Sequence, residues 1–212
     1  MNAQTSNPVL DENIKALENE EYLISETRKE ELNYLVNEIK RQINELGKSD
    51  VIFVCTHNSR RSQLAELWLR AAAKYYNIKN ITTWSGGTEA TAFNQRMVDA
   101  VVRIGFYITK DKQVENPGYQ ARLNNDDSGV KMFSKKYDCL HNPQTGFIAV
   151  MVCGQADKDC PFVPGAFARI ALPYEDPKNS DNTSQQTLVY DAKVREIGRE
   201  ILFMSRLLKN EL

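Results

Sequence analysis

The sequence predicts an α/β protein, a three-layer doubly wound fold with a central four-stranded parallel sheet and an N-terminal helical extension. Four short apolar segments of strand length alternate with longer segments of helical periodicity. Continuous apolar runs of this length are typical of strands that are buried on both faces of a parallel sheet. Strands and helices that alternate along one chain indicate a doubly wound architecture.

The N-terminal extension is predicted to span residues 1–48, and the α/β domain residues 49–212. A capping box at Thr27 and Glu30 precedes a helix that Gly47 is placed to end. Its apolar residues recur every three or four positions: Leu32, Leu35, Val36, Ile39, Ile43 and Leu46. A single apolar stripe predicts packing on the body of the protein, with a homodimer contact as the alternative.

The remaining elements follow from periodicity. The predicted strands are residues 51–54, 81–84, 147–152 and 168–172, and the predicted helices are residues 63–76, 94–105 and 187–208. Residues 111–144 are polar and rich in Asn, Asp, Gly and Lys, which predicts a long loop with one short helix at most.

Composition excludes several classes of protein. The 212 residues carry 27 basic and 28 acidic side chains, and this balance argues against non-specific nucleic-acid binding. No apolar run reaches the roughly 18–20 residues of a membrane span, and residues 1–5 lack signal-peptide features, so we expect a cytoplasmic protein without a membrane partner. The four cysteines are too few for a disulfide scaffold, which leaves free thiols, ligands or catalysts.

The loop after the first strand carries the strongest functional signal. Cys55 is followed by five residues and then by Arg61 and Ser62, at a strand end and a helix start, where open α/β sheets bind ligands. Inward-facing N–H groups and the helix dipole would form an oxyanion cradle there and favour the nucleophilic thiolate of Cys55. Arg61 can hold two oxyanion oxygens, and Ser62 can donate a hydrogen bond to the sulfur. The predicted oxyanion-binding residues are Thr56, His57, Asn58, Ser59, Arg60 and Arg61.

This loop also supports a family resemblance. The segment VIFVCTHNSRRSQLAE resembles the phosphate-binding loop of the low-molecular-weight protein tyrosine phosphatase superfamily, and most closely that of its thioredoxin-coupled arsenate reductases. Residues 85–89 with Asn94 resemble the turn after the second strand, and residues 174–177 resemble the Asp-Pro loop of the general acid. The resemblance covers about residues 50–208, apart from the polar stretch, and implies that Asp176 is the general acid.

Two further cysteines bear on the chemistry. Cys153 ends the third strand, and the Cys-x6-Cys-Pro spacing to Cys160 resembles that of the reductases. The resemblance implies a relay in which Cys55 attacks the arsenic, Cys153 attacks Cys55 and releases arsenite, and Cys160 attacks Cys153. The resulting Cys153–Cys160 disulfide would be exposed for thioredoxin to reduce. The alternative is two unrelated thiols.

Departures from the family are equally informative. His57 stands where the reductases usually have Gly, and Arg60 where they often have Cys. Asn58 and Glu66 match positions that help some reductases bind potassium, so a potassium ion is one expectation beside no required cofactor. The histidines complete no zinc spacing, so no metal site is predicted, and Cys139 fits no family position.

The leading hypothesis is therefore an arsenate reductase that acts on a small inorganic oxyanion, arsenate or phosphate. No aromatic residue follows Asp176-Pro177 closely, which favours such an oxyanion over phosphotyrosine. One alternative is a phosphatase that hydrolyses phosphotyrosine or small phosphomonoesters through a phosphocysteine. Another is a non-enzymatic oxyanion-binding module whose extension recruits a partner, although an intact Cys, Arg and Asp set argues against it.

Overall fold

A four-stranded parallel sheet forms the centre of the molecule, in the strand order β2-β1-β6-β7. The computed structural model describes residues 7–111, 114–160 and 162–212. The helices are α1 (Pro8–Glu18), α2 (Glu26–Leu46), α3 (Arg61–Tyr75), α4 (Gln95–Arg103), α5 (Gly154–Asp159) and α6 (Gln186–Glu211). The strands are β1 (Ser49–Cys55), β2 (Ile81–Gly87), β3 (Tyr107–Lys110), β4 (Tyr119–Arg122), β5 (Val130–Met132), β6 (Phe147–Met151) and β7 (Ala166–Ala171). The predicted α/β class and four parallel strands are confirmed.

The sheet is fully buried only at its centre. Every residue of β1 and β6 is buried, whereas β2 and β7 are half-exposed over much of their length. The prediction that all four strands are buried on both faces is therefore wrong for β2 and β7. These strands lie at the two edges of the sheet, where fewer neighbours cover them.

Helix α3 joins β1 to β2 and packs against both strands and against α6. Its buried Trp68 meets Phe106 edge to face, with ring centroids 5.2 Å apart, and donates its indole N–H to the Val194 carbonyl at 2.9 Å. Gly198 of α6 lies directly against this indole, because a Cβ atom there would be 2.5 Å from Trp68 Cε2. These contacts fix the helix that starts immediately after the predicted cradle.

The N-terminal helices pack on the body of the protein. Helix α2 contacts α6, β1 and β7, and its apolar stripe from Leu32 to Ile43 is buried, as the packing prediction expected. Leu46 is the exception and is exposed. Gly47 ends the helix in the left-handed conformation, with φ +76°.

The predicted capping box is wrong by two residues. Ser25, not Thr27, is the N-cap, because its hydroxyl accepts the backbone N–H of Arg28 at 3.2 Å. Both residue types favour this position, and only the backbone geometry selects between them.

The prediction of a loop over residues 111–144 is also wrong. Strands β3, β4 and β5 form a three-stranded antiparallel sheet whose last two strands lie within that stretch. Tyr119 and Ala121 face the core, and Tyr119 packs against Phe93 with ring centroids 5.5 Å apart. The turn between β4 and β5 is held by Asp127, whose carboxylate accepts the N–H groups of Leu123 and Gly129. These strands are short and carry polar residues at alternate positions. They therefore lack the continuous apolar run from which the other strands were predicted.

None of the helices in the described parts of the chain combines the length and apolar character that crossing a membrane requires.

Candidate active site

The loop between β1 and α3 brings Cys55 and Ser62 together. Cys55 is the last residue of β1, and only 3% of it is exposed. Its Sγ lies 3.0 Å from Ser62 Oγ. Asn58 Nδ2 donates to the same hydroxyl oxygen at 2.8 Å, so the Ser62 hydroxyl has its own hydrogen available for the Cys55 sulfur. This is the arrangement that would stabilise a thiolate.

Asn58 holds the loop in its shape. It adopts the left-handed conformation with φ +46°, which Asn tolerates better than most residues. Its Oδ1 accepts the backbone N–H of Lys135 at 2.9 Å, and its carbonyl accepts Gln63 Nε2 at 2.6 Å. The neighbouring Ser134 hydroxyl donates to the His57 carbonyl at 2.8 Å. Residues 134–135, which follow β5, thus support the loop from outside.

The backbone of the loop is suited to an oxyanion. Among the residues that the structure describes, no acceptor receives a hydrogen bond from the N–H groups of residues 57–60. Gly87, at the end of β2, lets the loop approach closely, because a Cβ there would lie 2.6 Å from the Thr56 carbonyl oxygen and 2.7 Å from the Asn58 nitrogen. Unpaired N–H groups at the start of a helix are a favourable environment for a tetrahedral anion.

Arg61 and Asp176 meet across the loop. Arg61 Nη2 forms an ion pair with Asp176 Oδ2 at 2.6 Å, and Arg61 Nη1 donates to the Tyr174 carbonyl at 2.8 Å. Its Nε is buried and has no protein partner in the described residues. The other oxygen of Asp176 accepts the Lys178 N–H at 3.0 Å and so caps the short 3-10 helix Pro177–Ser180. The predicted anion clamp and general acid are therefore neighbours.

Two predicted cradle residues turn their side chains elsewhere. Arg60 Nε donates to the Tyr190 hydroxyl at 2.9 Å and Nη2 to Asp181 at 3.3 Å, so that its guanidinium is already neutralised. His57 is exposed, with Nε2 3.5 Å from a Glu89 carboxylate oxygen. The prediction that Arg60 and His57 bind the oxyanion can therefore apply only to their backbone N–H groups.

Cys153 lies beside the loop. Only 1% of it is exposed, and its Sγ is 3.5 Å from Thr56 Oγ1, next in the chain to Cys55. The same sulfur is the N-cap of α5, because it accepts the Ala156 N–H at 3.3 Å. The structure thus places one further thiol within the surroundings of the predicted nucleophile.

Cys160 follows the end of α5 and is half-buried. Burial and the negative charge of Asp159 raise the pKa of its thiol. Seven residue steps along α5 separate its Cα from that of Cys153, about 10 Å at the helical rise, whereas a disulfide needs roughly 4.4–6.8 Å. A bridge between these residues thus requires α5 to unwind. Pro161, the last residue of the predicted motif, lies outside the described residues.

The residues expected at a potassium site, Asn58 and Glu66, are buried near Lys135. Glu66 is buried, and burial raises the pKa of its carboxyl while the nearby Lys135 charge lowers it. Lys135 is itself buried, and its charge acts on this carboxylate without forming an ion pair with it in the described residues. Asn58 Oδ1 already accepts the Lys135 backbone N–H, and the Asn58 backbone carbonyl accepts Gln63 Nε2. The described residues also contain no group of three or more His, Cys, Asp or Glu side chains that could hold a metal.

Sequence reasoning missed the residues that support the chain around Asp176, residues 173–181. Arg28 of α2 donates to the Pro173 carbonyl at 3.0 Å, lies 4.5 Å over the Tyr174 ring and pairs with Glu200 at 2.8 Å. Nothing near Arg28 in the sequence signals this role, because its partners are 145 and 172 positions away. The N-terminal extension therefore reaches the strand end that leads to Asp176.

The comparisons with known proteins agree with this geometry. Residues 50–138 match the family described as low molecular weight phosphotyrosine protein phosphatase. An arsenate reductase of Bacillus licheniformis is 28% identical over 158 residues, 74% of this chain and 94% of that protein. An arsenate reductase of Bacillus subtilis is 29% identical over 152 residues, 71% and 91% of the two chains. A low molecular weight phosphotyrosine phosphatase from Vibrio cholerae shares the fold, with a TM-score of 0.50 at 14% identity over 77% of this chain and 98% of that one. Residues 50–138 of this chain are therefore similar to the low molecular weight phosphotyrosine protein phosphatase family.

Proposed function

We propose that this protein is an arsenate reductase that uses three thiols in sequence. The observation that carries the proposal is the placement of Cys153, buried 3.5 Å from Thr56 at the edge of the nucleophile loop. A phosphatase needs only Cys55, Arg61 and Asp176, whereas a two-electron reduction needs a second thiol close to the first. The relatives named arsenate reductase support the same assignment.

The reaction begins with the oxyanion in the loop. Arsenate takes the place of Asp176 on Arg61, and the Cys55 thiolate attacks arsenic. Asp176, released from Arg61, passes a proton from one hydroxyl of the bound dihydrogen arsenate to the departing oxygen, which leaves as water. The product is an arsenic(V)–sulfur adduct on Cys55 that the loop N–H groups and Arg61 stabilise.

Reduction then passes through sulfur. The Cys153 thiolate attacks Cys55 Sγ, a disulfide forms, and the electron pair of the sulfur–arsenic bond goes to arsenic, which leaves as arsenite. The Cys160 thiolate attacks Cys153 and releases the Cys55 thiolate. Two thiols have then been oxidised to one disulfide while arsenic has gained two electrons. A dithiol reductant such as thioredoxin would return Cys153 and Cys160 to thiols.

Helix α5 has to open during the second exchange. Its N-cap is the Cys153 sulfur, so attack by Cys153 removes the atom that caps the helix. Its six residues make it short enough to be unstable without that cap and its tertiary contacts. Opening would bring the two sulfurs within bonding distance and expose the disulfide to the reductant.

The test replaces Cys153 with Ser, beside the matched control Cys139→Ser. Wild-type protein should lose two of its four free thiols after one exposure to arsenate, and the Cys139→Ser control should also lose two. Cys153→Ser should release no arsenite and form no Cys153–Cys160 disulfide. Wild-type protein that keeps all four thiols with arsenate would show that the assignment is wrong.

The second candidate function is a phosphatase, which the family match and the complete Cys55, Arg61 and Asp176 set favour. It would hydrolyse small phosphomonoesters or phosphotyrosine through a phosphocysteine on Cys55. Cys153→Ser would then hydrolyse p-nitrophenyl phosphate as fast as the wild type, and Cys55→Ser would not hydrolyse it.

We also propose that the enzyme works without a potassium ion and acts in the cytoplasm. The buried Lys135 charge beside Glu66 supports the first point. Four free thiols support the second, because a reducing compartment keeps them available.

A further inference from the structure

Two consecutive arginines hold the Asp176 segment at two points. Arg61 pairs with Asp176 at 2.6 Å, and Arg60 Nη2 donates to Asp181 at 3.3 Å. Side chains of Arg60 and Asp181 are 11% and 18% exposed, so water screens this pair far less than a surface pair. Arg60 Nε also lies 4.0 Å from Asp176 Oδ1, the oxygen that accepts the Lys178 N–H.

Further contacts make the Asp181 end rigid. The Tyr190 hydroxyl donates to Asp181 Oδ1 at 2.7 Å while it accepts from Arg60 Nε. Burial and Asp181 raise the pKa of Tyr190 to about 12, so its hydroxyl keeps its proton at neutral pH. From α4, Arg96 donates to Asn182 Oδ1 at 2.7 Å and lies 3.8 Å from Asp181.

The short 3-10 helix Pro177–Ser180 connects Asp181 to Asp176. Asp176 caps its first turn, and the Asp181 N–H donates to the Lys178 carbonyl at 3.0 Å at its end. Ser180 Oγ donates to the Pro177 carbonyl at 2.8 Å within it. Asp176 and Asp181 are thus bonded to the two ends of the same four-residue helix, which links the position of Asp176 to that of Asp181.

The two arginines face different demands when an oxyanion binds. Arg61 must exchange Asp176 for the oxyanion, and the acid then loses its anchor at that end. Arg60 is already paired with Asp181 and Tyr190, so it has no reason to move. We propose that Arg60 is a positioning residue. Once Arg61 has exchanged Asp176 for the oxyanion, the contact between Arg60 and Asp181 keeps Asp176 within reach of the departing oxygen. This inference rests on the proposed chemistry of Cys55, Arg61 and Asp176.

The experiment combines Arg60→Met with Asp176→Asn and uses two phosphomonoesters and arsenate. A general acid matters more for a poor leaving group, so Arg60→Met should slow phenyl phosphate hydrolysis by about tenfold or more and affect p-nitrophenyl phosphate much less. With arsenate, kcat should fall while KM stays near the wild-type value, because Arg61 and the backbone N–H groups of the loop are retained. The double variant should be no slower than Asp176→Asn alone, because Arg60 acts through Asp176.

Two further variants separate positioning from folding. Arg60→Lys keeps the charge and should recover part of the phenyl phosphate rate. Arg103→Met removes an exposed ion pair with Asp191, between α4 and α6 and away from the loop, and should behave as the wild type. Equal losses on both phosphomonoesters, or a full additional loss in the double variant, would overturn the proposal for Arg60.

The outcomes also separate this inference from the proposed function. If the wild type hydrolyses phosphomonoesters but keeps its four thiols with arsenate, the reductase is refuted, and a leaving-group-dependent loss in Arg60→Met still supports Arg60 as a positioning residue. Wild-type protein that turns over neither arsenate nor phosphomonoesters would overturn both.

Discussion

Replacing Arg28 with Met should destabilise the folded protein by about 3–5 kcal/mol, which is typical of breaking a buried ion pair from one side. Glu200, whose side chain is 8% exposed, would lose its cation 2.8 Å away and remain inside the protein. This total includes the lost hydrogen bond to Pro173, about 1 kcal/mol, and the lost contact with the Tyr174 ring, about 0.5–2 kcal/mol. The pair with Glu31 contributes little, because Glu31 is exposed.

The loss should depend on pH. Burial raises the pKa of Glu200 above its ordinary value, and the Arg28 charge lowers it. Without Arg28 the folded-state pKa rises further, so above the unfolded-state value of 4.5 the folded variant binds more protons than the unfolded chain. Its stability must then fall as pH rises, by at most about 1.4 kcal/mol per pH unit, until Glu200 ionises in the folded state.

Urea unfolding at pH 5 and pH 8, followed by tryptophan fluorescence, measures both effects. The destabilisation should be larger at pH 8, and the double variant Arg28→Met with Glu200→Gln should recover part of it. Lys29→Met is the matched control, because its pair with Glu26 is solvent-exposed and should contribute less than about 1 kcal/mol. An equal loss at both pH values, with no recovery in the double variant, would refute the reasoning about Glu200.

Three other predictions follow from close packing and charge. Gly198→Ala should cost about 1 kcal/mol in urea unfolding, since overpacking against Trp68 costs about 1–3 kcal/mol and better helix propensity offsets about 1 kcal/mol; a more stable variant would contradict this. Gly87→Ala should lower kcat/KM by about tenfold or more, because its Cβ would displace the Asn58 backbone and the loop around it; a variant with wild-type kcat/KM would show that the loop tolerates the contact. Turnover in KCl and in NaCl at equal ionic strength should be the same, since Lys135 already supplies a cation; strong stimulation by potassium would count against this.

The sequence was most informative where the partners are close along the chain. Cys55 and Ser62 are seven residues apart, on a strand end and a helix start that both have clear patterns, and their contact follows from the turn between them. The parallel strands β1 and β6 were recognisable because they are buried on both faces. Asp176 came from a family resemblance rather than from any local pattern.

The remaining contacts depend on long-range packing. The bond from Lys135 to Asn58 spans 77 positions, and strands β4 and β5, which lead to it, have no continuous apolar run. The direction of the Arg60 side chain depends on Asp181, 121 positions away, so an arginine beside the cradle was expected to face the anion. The direction of such a side chain is determined by its charged partners in the folded state. Local sequence propensity contains no information about those partners.

The contact between the N-terminal helices and α6 has a consequence for biosynthesis. The buried faces of α1 and α2 pack against α6, the last helix of the chain. On the ribosome α1 and α2 emerge long before this partner, so the part of their apolar faces that α6 covers stays exposed until residues 186–211 have also emerged. The final packing of the extension therefore waits for α6, although it lies more than a hundred positions earlier in the sequence.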